Sequence, residues 1–271
     1  MHKRTMTAFS LLTMTLLLGC PKKEEAKAPP AAEKKAEAKP AEAKKAEAPE
    51  HYFNKKENLN PDPAYVPGDY PAPDTAAAKK AYEERAGKIA VGGDKTLKVQ
   101  EGGELTFGIA KNEEKRVFGY FRKYTGAVAL GASGPEKVEL VIDVNSIDTA
   151  VPGRDHRIMD ILLKSMKPEY GTAVLVFDKF DMGGKSWDDA VKEGAPIVAS
   201  GTLKVNDKSN PVKTKLSVTQ EGDVYTVETT DKVLIKLSDY GYGDRPYALM
   251  KVCNHVAMGN VVDLAVNVKL K

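Results

Sequence analysis

In the stretch KVELVIDVN, residues 137–145, Val138, Leu140, Ile142 and Val144 fall on one face, with Glu139, Val141 and Asp143 on the other. Successive side chains of a strand point to opposite faces, so this segment is a β-strand with one apolar side. VDLAVNVKL, residues 262–270, repeats the pattern, setting Val262, Leu264, Val266, Val268 and Leu270 against Asp263, Asn267 and Lys269. Further strands are expected at 96–100, 104–110, 117–130 with a break at Gly126, 172–180, 197–205, 212–219, 223–230, 232–238 and 248–256. Turn signals separate them at Gly102-Gly103, Gly183-Gly184, Asp207 to Pro211 and Glu221-Gly222-Asp223. Many antiparallel strands with one apolar face predict an all-β domain over residues 88–271, either a closed barrel or a sandwich, long enough to bury a sizeable core.

Upstream the composition changes. His2, Lys3 and Arg4 precede an apolar run from Ala8 to Leu18, too short to span a bilayer as a mature helix, and the run ends in Leu17-Leu18-Gly19-Cys20. Residues 1–19 therefore read as a lipoprotein signal peptide, with the Cys20 thiol receiving the lipid and anchoring the protein to a membrane. Pro21 after the cysteine resembles lipoproteins passed on to the outer membrane, which places the mature chain on the periplasmic side of the envelope. Residues 20–73 read as a linker. Positions 21–50 hold only Lys, Glu, Ala and Pro, with no large apolar side chain to offset the entropy of ordering, so a disordered tether is expected. A short helix is expected at 74–87, capped by Asp74-Thr75 and stopped by Gly87.

The formal charge is +3, of which Lys3 and Arg4 supply two, leaving +1 on the processed chain, which is not the balance of a nucleic-acid binder. With Cys20 lipidated, the only other cysteine, Cys253, has no partner for an internal disulfide. No G-x-S-x-G elbow, H-E-x-x-H pair, P-loop or paired C-x-x-C is present, so neither catalytic residues nor a metal site are expected. On the expected strand 248–256, Cys253 and His255 would share a face of the barrel wall, and two donors do not make a metal centre.

SIDTAVPGRDHRIMD, residues 146–160, is the densest charged stretch in the domain. It follows a strand, and Ile158, Ile161, Leu162 and Met166 then recur at helical spacing until Pro168. An Arg154–Asp155 ion pair seating this helix on the barrel rim is the expected role of its charges, rather than acid–base chemistry, which would want a second carboxylate and a pocket.

Four blocks, GYFRKYTGAVAL (119–130), VELVIDVNSIDTAVPGRDHRI (138–158), GTLKVNDKSNPVKTKLSV (201–218) and IKLSDYGYG (235–243), resemble in order and spacing the YceI-like family of exported lipid-binding proteins. The resemblance implies an antiparallel, lipocalin-like β-barrel with one or two short helices, and a polyisoprenoid chain held in its lumen as ligand. Where that family has Arg-Asp-x-His, this chain has Arg154-Asp155-His156-Arg157. Candidate lumen residues are Phe107, Leu140, Ile142, Val144, Leu175, Phe177, Leu216, Leu264, Val266 and Val268.

An eight-stranded barrel can fill its interior with side chains or hold one ligand, and alternation fits both. A long hydrocarbon gains about 0.8 kcal/mol per buried methylene and needs no polar motif to bind. The two readings are therefore a membrane-tethered lipid carrier and a solid interaction module presenting the tyrosine-rich loop DYGYGDRPYAL (239–249) to a protein. An enzyme is not expected.

Overall fold

The computed structural model describes residues 74–271 apart from 113, 114 and 254. The expected signal peptide, Cys20 and the linker lie outside the described residues. Strands β1 (Lys95–Lys98), β2 (Glu104–Lys111), β3 (Lys115–Phe121), β4 (Tyr124–Gly131), β5 (Gly134–Asp143), β6 (Ile147–Asp148), β7 (Thr172–Asp181), β8 (Ile197–Val205), β9 (Lys208–Glu221), β10 (Val224–Asp231), β11 (Val233–Lys236) and β12 (Met258–Leu270) form one sheet. All their pairings are antiparallel.

Four pairs of these strands are continuations of one another. β1 runs on into β2, and β3 into β4, so that a single long hairpin pairs β1 with β4 and β2 with β3. β5 runs on into β6, and β10 into β11, both halves of the latter pairing with β12. The 12 strands thus make eight staves, each bonded to the next in chain order. The last stave, β12, pairs back onto β2, and Gln100 N–H donates to Lys269 O at 2.8 Å beyond the end of β1. Those bonds close the ring, and the domain is an antiparallel up-and-down barrel.

Inward alternation explains why these sequences took these places. Leu140, Ile142, Leu175, Phe177 and Leu264 are buried in one continuous interior cluster. The outer side of β5 is covered as well, by α1 (Ala76–Ala86), whose Ala78 and Tyr82 are buried. Arg85 of α1 is paired with the buried Glu139 carboxylate, to which Lys137 also contributes at 3.2 Å. Asp74 Oδ1 accepts from Ala76 N–H at 3.2 Å at the start of this helix, while the Thr75 side chain makes no cap bond.

Three expectations are corrected. Residues 245–253 form a helix, α4 (Arg245–Cys253), where a strand was expected at 248–256; its Leu249 and Met250 are buried across one end of the barrel, and Ala248 to Lys251 are a run of strong helix formers. The hairpin breaks at Arg122-Lys123 and not at Gly126. Gly126 stays in the ladder because a Cβ there would lie 2.7 Å from the Glu139 carbonyl, so the glycine marks close backbone approach and not a bend. Finally, four short helices are present among the described residues instead of one or two. The unexpected α3 (Trp187–Glu193) is capped by Ser186, whose Oγ accepts from Asp189 N–H at 3.1 Å, and ends at Gly194 in the left-handed conformation.

Candidate functional site

The interior of the barrel is not filled. Two apolar chambers lie end to end along it, offset by two inward positions on the same strands: Val138 and Leu140 line the first, Ile142 and Val144 the second. On β12, Val266 and Val268 line the first and Val262 and Leu264 the second. Every lumen residue expected from the sequence faces one of them. Leu140, Leu175, Phe177, Leu216, Val266 and Val268 line the first chamber; Phe107, Ile142, Val144 and Leu264 line the second.

The cavities measure about 80 Å3 in the first chamber and about 90 Å3 in the second, so the voids are narrow clefts between side chains. Such a shape suits a slim, flexible chain better than a rigid ring system.

Both ends are covered. At the first-chamber end, α3 contributes Ala190 and Val191 to an apolar cluster, and the Trp187 ring lies 6.1 Å from that of Tyr225. At the second-chamber end sit Ile158 and Leu162 from a π-turn (Ile158–Leu162), the buried face of α4, and Tyr240 and Tyr242. Alternation could not reveal these two tyrosines as lumen residues, since they come from a 3-10 turn (Leu237–Tyr240) and the loop after it. Both are buried, so the loop expected to offer them to a partner turns them inward. Burial pushes the Tyr240 hydroxyl up to about 12, and Tyr242 is raised by the same cause. The Tyr242 hydroxyl has no hydrogen-bond partner among the described residues and is a polar group at the end of an otherwise apolar chamber.

The charged stretch after β6 forms a short helix, α2 (Pro152–Arg157), that continues into the π-turn. Asp155 does anchor it, but through Thr149 and not Arg154: its Oδ1 accepts from Thr149 N–H at 2.9 Å and from the Thr149 hydroxyl. Proximity in sequence suggested the Arg154 pair, whereas the helix geometry sends the carboxylate back across its own first turn. Asp155→Ala should lower stability by about 1–3 kcal/mol, because it leaves the donors of the buried Thr149 without their acceptor. Chemical denaturation checks this, and an unchanged midpoint would show that the loop re-forms these bonds with water.

Arg154 instead belongs with Arg157, Lys111, Cys253 and His255 near the second-chamber end. Burial pushes His255 down to about 4, with Lys111, Arg157 and Arg154 adding repulsion, and burial pushes the Cys253 thiol up. A raised thiol is a poor nucleophile. Cys253 ends α4 and is not part of a barrel strand. Among the described residues no group of three or more His, Cys, Asp or Glu is placed to hold a metal ion.

Comparison with curated proteins gives no match. Among solved structures, a polyisoprenoid-binding domain from Saccharophagus degradans superposes with a TM-score of 0.53 at 19% identity, covering 65% of this chain and 97% of that one. BcnA from Burkholderia cenocepacia gives a TM-score of 0.50 at 16% identity, covering 62% of this chain and 95% of the other. Those likenesses concern the fold. Residues 98–270, the closed barrel with both chambers, match the YceI-like domain, and the chain belongs to that family.

Proposed function

We propose that this protein is a membrane-tethered binding protein for a polyisoprenoid or similar long-chain lipid, held in the lumen of its barrel. The observation that carries the reading is the pair of apolar chambers, aligned end to end and capped by helices. A single methyl-branched chain can lie along that axis once lining side chains rotate, and each methylene it buries contributes about 0.8 kcal/mol. The polyisoprenoid-binding domain of similar fold supports the same ligand class.

Trp187, the only tryptophan, lines the first chamber and is a built-in reporter. Brominated polyprenol offered from phosphatidylcholine vesicles should quench its fluorescence saturably, and lipid extraction of the purified protein followed by mass spectrometry should release a long-chain lipid. Absence of both would return the barrel to the interaction-module reading.

The tether completes the proposal: Cys20 carries the lipid anchor, on the periplasmic side of the envelope and at the outer membrane. Cys20→Ser should move most of the protein from the membrane to the soluble fraction, because the anchor's chains supply nearly all its membrane affinity. Unchanged fractionation would refute the anchor and leave the lumen reading untouched.

A further inference from the structure

We propose that the lipid chain passes in and out sideways, through a seam in the barrel wall between β1/β2 and β3/β4, with the Tyr124 side chain as the bar across it. This rests on the lipid-site reading of the lumen and adds its route of access.

The seam is a gap in the backbone pairing of the wall. The β1–β4 ladder ends at Lys98↔Ala127, with one further bond from Val99 N–H to Gly126 O at 3.0 Å, and the β2–β3 ladder begins at Thr106↔Tyr120. From Lys98 to Thr106 is eight residues, while from Ala127 back to Tyr120 is seven, so the two ladders are out of register by one. No strand pairing joins 100–105 to 121–125. Side chains alone close the wall here, and parting it breaks no ladder hydrogen bond.

Each margin is nevertheless held from behind. On one side Arg122 N–H donates to Ser146 O at 3.0 Å, Lys123 N–H to Ser146 Oγ at 2.9 Å, and Asp143 N–H to Lys123 O at 3.0 Å. On the other, Gln100 N–H bonds Lys269 O and Glu104 pairs with Asn267. The two staves can therefore part at the seam while the rest of the ring stays bonded.

Outside the seam lies a groove of about 550 Å3. It shares Val99 with the first chamber and Phe121 with the second, so one layer of side chains separates solvent from either part of the lumen. Tyr124 spans that layer. Its ring packs against the apolar clusters of both chambers, and its hydroxyl crosses to the opposite stave at Gly103, where an added Cβ would sit 3.0 Å from Tyr124 Oη and 2.8 Å from Asn267 O. The glycine lets the bar seat. By contrast, passage through either end would have to displace a packed helix, α3 with Trp187 or α4 with Leu249 and Met250.

The test locks the seam reversibly. In the full chain carrying Cys253→Ala, the pairs Lys98→Cys with Ala127→Cys and Thr106→Cys with Tyr120→Cys flank the seam at directly opposed positions, whose spacing in an antiparallel ladder suits a disulfide. The rate of Trp187 quenching by brominated polyprenol from phosphatidylcholine vesicles is compared between the oxidised and reduced forms of the same protein. Oxidation should slow it at least tenfold without changing the final quench. Equal rates in the two forms would overturn the seam. If the stapled protein does not fold, Tyr124→Ala decides: removing the bar should speed quenching several-fold, and an unchanged rate refutes the proposal. A wild-type protein that shows no quenching at all is a different outcome, since it refutes lipid binding itself.

Discussion

Substituting alanine for Gly201 is expected to lower the stability of the barrel by about 3 kcal/mol or more, among the largest effects available to a single methyl group. Gly201 stands in β8 directly opposite Phe177, where the β7–β8 register slips between Phe177 and Lys179. This bulge draws the two backbones together: a Cβ on Gly201 would overlap the Val176 carbonyl oxygen and lie 2.7 Å from Phe177 Cα. Both obstacles are main chain, so no rotamer change relieves them, and the bulge itself would have to re-form elsewhere. Domains of this kind are stable by about 5–15 kcal/mol, so the loss is a large share of the whole. Gly222→Ala supplies the contrast. That glycine has a φ of 62° with nothing within 4 Å of its missing Cβ, and the substitution carries only local backbone strain, about 1–2 kcal/mol. Urea denaturation of both variants tests the ranking. A Gly201→Ala protein as stable as Gly222→Ala would mean that the bulge is plastic.

The staves of the barrel were legible because each has one face in the lumen, and alternation in β5 and β12 records that directly. The same fact made the ten lumen positions legible, since a residue's face follows from its parity once a strand is placed. Closure was not legible. A barrel and a sandwich differ in whether the last strand bonds to the first, a relation between Asn267 and Glu104 that leaves no trace in either local sequence. Nor was the emptiness of the lumen, because a void is set by how far facing walls stand apart and not by which residues line them. The helical ends failed for a different reason. The segment YALMKVC reads as a strand for its apolar run, although Ala248, Leu249, Met250 and Lys251 are strong helix formers and Pro246 suits a first helical turn. For α3 the signal was present in Ser186, Asp189 and Gly194 and could have been read. Asp155 was recognised as a seating residue with the wrong partner, since a carboxylate that turns back to a loop six residues earlier looks, in sequence, like a neighbour of the adjacent arginine.

Val266→Trp is expected to abolish most lipid binding while leaving the lipid-free protein within about 1 kcal/mol of wild-type stability. Val266 projects into the first chamber from the middle of β12 and packs against both apolar clusters, so its side chain stands where a chain running between the chambers must pass. In a lumen packed to native density an indole there would force its neighbours off their rotamers and cost about 1–3 kcal/mol or more. Here it has space to enter: the extra bulk of the ring is comparable with the about 80 Å3 open in that chamber, and it gains apolar contacts in exchange for an unfilled cleft. What it takes away is the continuity of the tube. A chain could then reach at most one chamber, and losing roughly half of its buried methylenes, at about 0.8 kcal/mol each, would weaken binding by several powers of ten. Denaturation of the delipidated protein and the yield of co-purifying lipid are the two measurements. Marked destabilisation with unchanged lipid would show that the chambers collapse around a solid core and that the lipid sits elsewhere. Normal stability with unchanged lipid would place the chain in the second chamber alone, between Phe107 and Tyr242, and would leave the first chamber without a part in binding.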